Sequence, residues 1–179
     1  VAAIVAQVPD HKGESGGVIT IKKFDHSLDQ VAAQHGRQAA PGPRGDGYRR
    51  LKNQAIGEQI EAAWIRGQAA EMGIGLRPRK VSRELAALKK QAFKNGAQYR
   101  RFLKEAHYTR KDLLDRVETQ MFSELIQERI LSGIRGEAAA QKAFSKFVAE
   151  FAERWRSRTV CAPGYITKLC SNGPEPKSL

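Results

Sequence analysis

The sequence predicts an all-α protein of about six helices, with a short extended segment at its N-terminus and a disulfide-pinned hairpin near its C-terminus. Apolar residues recur at three- and four-residue steps along most of the chain. The composition is rich in Ala and Arg, and β-branched residues cluster only in the first twenty positions. The stripes are separated by residues that start and stop helices, among them Thr20, Gly36, Gly73, Pro78, Asn95-Gly96, Thr109 and Gly133.

Val1 to Val8 is apolar and reads as a strand or an extended arm, followed by a turn-rich loop from Pro9 to Gly17. A first helix starts after Thr20, carries Ile21, Phe24, Leu28 and Val31 on one side, and stops at Gly36. Residues 37–47, RQAAPGPRGDG, are expected to be a flexible linker; the Arg44-Gly45-Asp46 within it reads as chance in a Gly/Pro stretch. A second helix follows from Tyr48 to Met72, with Leu51, Ala55, Ile56, Ile60, Ala63, Trp64 and Ala70 inward. Gly57 and Gly67 each cost it about 1 kcal/mol of propensity, which points to a close crossing at one of them.

The third helix begins near Pro78, shows Val81, Leu85, Leu88 and Ala92 on one face, and ends at Asn95-Gly96. A short fourth helix runs from Ala97 to Ala106. The fifth starts at Thr109, whose hydroxyl pairs with Asp112 as a capping box, and reaches Ser132. Its apolar positions, Leu113, Leu114, Val117, Met121, Phe122, Leu125, Ile126 and Ile130, make a face too wide for one neighbour. After Gly133–Gly136 a sixth helix runs to Arg158, with Phe144, Phe147, Val148, Phe151 and Trp155 on one side. This divides the chain into a helical domain, 1–158, and a C-terminal tail, 159–179, whose last nine residues read as disordered.

Charge narrows the partners. Between Arg77 and Lys104 stand Arg77, Arg79, Lys80, Arg83, Lys89, Lys90, Lys94, Arg100, Arg101 and Lys104 against Glu84 alone, so ten minus one, +9, of the chain's +12 falls in one segment. Nucleic acid, anionic lipid headgroups and acidic polypeptides are the partners such a run attracts, and a plain solvated face is the alternative. No apolar run approaches the roughly 18 residues of a membrane span. Val1 in place of Met is compatible with a removed leader, anchor or transmembrane segment.

Catalytic motifs are missing from this reading. No GxSxG, P-loop, GxGxxG or HExxH occurs. His11, His26, His35 and His107 are scattered, so neither a metal nor a cofactor is expected. Cys161 and Cys170 flank a Pro-Gly turn in a ten-residue stretch; they are either two free thiols or a bridge that stabilises by about 2–3 kcal/mol. The turn and the terminal location favour the bridge, and with it an oxidising compartment.

The order of pieces resembles the N-terminal chaperone region of SurA-like and PrsA-like parvulin-type foldases. It covers roughly Val18 to Ile130: a Thr-x-x-x-Phe helix start, a linker, a long helix with a central Trp, an Ile-Gly-Leu turn, then Phe102-Leu103-x4-Tyr108-Thr109-x2-Asp112-Leu113 with Val117. The sixth helix and Thr159-Val-Cys161-x3-Tyr165-x4-Cys170 look like the C-terminal end of actinobacterial-type members. Two departures stand out. Such proteins usually carry an isomerase domain between Ile130 and Phe144, where this chain has thirteen residues, so no isomerase residue carries over. Arg77 stands where relatives often have a Ser or Thr cap.

The resemblance implies an extracytoplasmic, ATP-independent chaperone that holds unfolded exported polypeptides in an apolar cleft and is not an enzyme. Trp64, Tyr99, Phe102, Met121 and Phe122 are the expected lining, with the basic run steering acidic clients. A basic nucleic-acid-binding protein and a non-catalytic assembly partner are the competing readings, and a homodimer is left open.

Overall fold

The computed structural model describes residues 1–5, 7–9 and 16–174. The loop expected from Pro9 to Gly17, with His11, and the end of the polar tail lie largely outside the described residues. Strand β1 (Ala3–Val5) and strand β2 (Val18–Ile19) precede helix α1 (Ile21–Gln34). Helices α2 (Tyr48–Glu71), α3 (Pro78–Ala92), α4 (Gly96–Glu105), α5 (Arg110–Leu131) and α6 (Glu137–Ser157) follow, and strand β3 (Thr159–Cys161) closes the series. The helices and their limits follow the periodicity. Thr20 caps α1 by accepting from the Lys23 amide, and Thr109 with Asp112 forms the capping box of α5. Arg77 precedes α3 without a side-chain cap.

The extended N-terminal segment and the C-terminal cysteines meet. β1 is the centre of a three-stranded antiparallel sheet ordered β2-β1-β3, in which Ala3 pairs with both Ile19 and Cys161. Cys161 and Cys170 are bridged, with Cα atoms 5.7 Å apart. The start of the tail is not loose: the Ser171 amide donates to the Thr159 carbonyl at 2.7 Å, and Arg156 donates to the Gly173 carbonyl. These residues cover the outer edge of β3, where unpaired backbone groups would otherwise stand.

The main core joins this sheet to α1, α2 and the end of α6. Phe24, Val31, Leu51, Ile56, Ile60 and Trp155 are fully or almost fully buried within it. Gly67 explains how α6 comes so close: a Cβ there would lie 2.1 Å from Cη2 of Trp155. The Trp155 indole donates to Oε1 of Gln68 at 3.1 Å, so the ring is fixed at its polar edge as well. A second, smaller core gathers Ala69, Phe122 and Ile126 between α2, α5 and α6.

Helix α5 packs against α2, α3 and α6, which answers the width of its apolar face. Two expectations shift at helix ends. Ala70 is exposed and Ala69 is buried, because α5 and α6 cover a different side of α2 from the side that α1 and the sheet cover. Leu88 and Ala92 are exposed: only Val81 and Leu85 of α3 are buried. The 37–47 segment is tied at two points, by the Ala40 amide donating to Asp29 and by Nε2 of His107 with the Gln38 carbonyl.

Candidate functional site

A groove of about 800 Å³ lies between α2, α3 and α5, with the start of α1 at one end. Ala62, Ile65, Leu88, Val117 and Met121 give it an apolar lining. Charged groups stand around that lining. Arg116 pairs with Glu58 at 3.0 Å across the groove and lies over the Tyr108 ring, which ties α5 to α2. At the α1 end, Nε2 of His26 lies 2.9 Å from Oδ2 of Asp112 and 2.9 Å from the Gln30 amide. Burial works against the Asp112 charge, yet hydrogen bonds from the Thr109 hydroxyl, His26 and the Thr109 amide, with the His26 charge, hold its carboxyl below its ordinary value. Glu61 moves the other way: desolvation and the Glu58 charge raise it, with Lys168 opposing.

Ile65 belongs to the groove and also packs on the second core. Beyond it Met72, Ile74, Leu76, Ile130 and Phe147 are only partly buried. Phe144, Phe147 and Phe151 stack in sequence along α6, with centroids 6.5 Å and 5.8 Å apart, and Val148 beside them is 44% exposed. Groove and seam together form an apolar surface with adjustable members, Met121 and Met72, and a charged rim.

The five expected lining residues part company. Met121 reaches the groove, though it is itself buried. Phe122 lies in the second core. Trp64 is 3% exposed in the main core, its indole donating to the Thr159 hydroxyl at 2.7 Å, and it offers no surface in this conformation. Tyr99 and Phe102 come together in a separate place: with Phe93 and Tyr108 they make the aromatic interior of an arm formed by α3 and α4. Of the ten cations in the basic run, only Lys80 lines the groove. Lys89 sits over the Tyr99 ring at 4.2 Å, and none of the ten makes an ion pair among the described residues.

Leu88 and Asp112 read from the sequence as a helix face and a helix cap, not as parts of a site, and Ile65, Glu58 and Glu61 escape the sequence reading altogether. Glu58, Glu61, Ala62 and Ile65 do follow a three-to-four-residue stripe on α2, a signal hidden by the stronger stripe of Ile56, Ile60, Ala63 and Trp64 on another face. No curated protein and no solved structure matches the chain. Residues 15–127, well over half of it, match the SurA-like N-terminal domain, the non-catalytic helical part of parvulin-type proteins, and no parvulin domain is detected in this chain. The capped helices, the linker, the long central helix and the α3–α5 succession up to the last turn of α5 fall within that match, and the chain belongs to the SurA-like N-terminal domain family.

Proposed function

We propose that this protein is an ATP-independent holdase that takes short apolar segments of unfolded, exported polypeptides into the α2–α3–α5 groove and along the neighbouring α5–α6 seam. The observation that carries the reading is the apolar track of Leu88, Val117, Ile65 and Phe147, left partly open in a chain of this chaperone-type family. An extended segment laid on such a track loses apolar surface to side chains that can rearrange around it, without needing a fixed sequence. The mixed charge of the rim suits transient contact with backbone and polar groups. A disulfide and the family both suggest an extracytoplasmic place of work, where a nucleotide-free mechanism is required.

The test is light scattering of an unfolded client diluted into buffer without ATP. The protein is expected to suppress aggregation. Leu88→Ser with Val148→Ser, both at exposed positions where stability changes stay within about 0.5 kcal/mol, is expected to weaken suppression severalfold. Unchanged aggregation across several clients would overturn the reading.

A further inference from the structure

We propose that the α3–α4 arm is a docking surface for an anionic lipid membrane. Ten cations stand on it against two acids, Glu84 and the last residue of α4, Glu105, and among the described residues none of the ten is ion-paired. Three carboxylates of the neighbouring body are engaged elsewhere: Glu58 with Arg116, Asp112 with His26, and Asp115 with Lys111.

Helix geometry sets the cations outward. Val81 and Leu85 are the buried side of α3, and Arg79, Arg83 and Lys90 fall on the opposite side of the helix, all exposed. That stripe runs along a helix of about 20 Å, long enough to meet several headgroups. On α4, Tyr99 and Phe102 turn inward to Phe93, while Arg100, Arg101 and Lys104 are exposed.

A lipid surface fits this face better than nucleic acid does. The rings that would stack on bases are packed on one another, and Tyr99 is 8% exposed. Asn95 and Gln98, amides that read base edges elsewhere, are occupied at the start of α4: Asn95 accepts from the Gln98 amide and Gln98 from the Lys94 amide. The disulfide belongs to oxidising compartments, in which the standing polyanion next to an exported chain is the membrane. Spread, unpaired Lys and Arg need no pocket for such a surface, only approach within a Debye length of about 8 Å.

Co-sedimentation of the full chain with vesicles tests this. Binding is expected to phosphatidylglycerol–phosphatidylcholine vesicles, none to phosphatidylcholine alone, and less as salt rises. Each basic residue near an anionic surface contributes about fivefold, so Arg79→Gln with Arg83→Gln and Lys90→Gln is expected to lower partitioning roughly 100-fold. Far-ultraviolet circular dichroism and the intact disulfide show that the variant is folded. Failure to bind phosphatidylglycerol vesicles, equal binding to both vesicle types, or an unchanged triple variant would overturn the proposal. So would tighter binding to duplex DNA or to an acidic peptide at the same salt, which would assign the arm to those partners. The aggregation assay reads a different surface, so each proposal fails independently of the other.

Discussion

A methyl group is the smallest side chain that Gly67 could carry, and Trp155 leaves no room for it. The ring is held by Gln68 and by the main core, so it has little freedom to retreat. Gly67→Ala gains up to about 1 kcal/mol of helix propensity and meets about 1–3 kcal/mol of overpacking, so a net loss is expected as a lower urea midpoint. Gly57→Ala is its counterpart. There the new Cβ would meet only Cδ1 of Leu169, at 3.7 Å, and the same propensity gain is expected to raise the midpoint. A higher midpoint for Gly67→Ala would show that the ring can move. The sequence signals both glycines as anomalies in a helix but not which one is the crossing, because that depends on where a residue 88 positions later is brought back.

Among the elements, α5 owes its start to a cap read from four consecutive residues. Thr109 and Asp112 satisfy each other's backbone amides, and His26 fastens the same carboxylate to α1. The sign of the pH effect follows. A carboxyl whose folded pKa is lowered contributes stability above its unfolded value of about 3.9, and that contribution fades as pH falls through the folded value. Asp112→Asn is therefore expected to be less stable than the parent at pH 6, by about 1–2 kcal/mol, with the gap closing below about pH 4. Thermal melts across that range measure it, and a gap that persists at about pH 2 would show that charge is not the cause. This cap is legible in sequence because it is local. The groove is not: Leu88, Val117 and Ile65 become neighbours only when three helices pack, and periodicity marks an apolar face without saying what covers it. The same gap in information puts Trp64 in the core, where its stripe fits a client site and a core equally well.

For the whole molecule, the sheet was the least legible part. Strands of two and three residues show no usable alternation, and the pairing of Ala3 with Cys161 spans nearly the full chain. The helices of the domain and the disulfide could be read; that they close on one another could not. Cys161→Ser with Cys170→Ser is expected to cost about 2–3 kcal/mol in chemical unfolding. It is also expected to loosen β1 from β3, seen as faster amide exchange at Ile4, which lies opposite Val160; the Val5 amide donates to Gly17 on the β2 side, so the alternating Ile4 amide faces β3. Exchange that quickens only in residues 161–173 would show that the sheet stands without the bridge.

The β1–β3 pairing also imposes an order in time. A chain emerging N-terminus first presents β1 long before its partner exists, and α2 waits with it: Trp64 has no Thr159 to receive its proton, and Gly67 faces no ring. The helices can form as they appear, but the body stays unlatched until α6 and β3 have arrived. A protein built this way passes through its own synthesis as an open, apolar, unfinished polypeptide until β3 closes on β1.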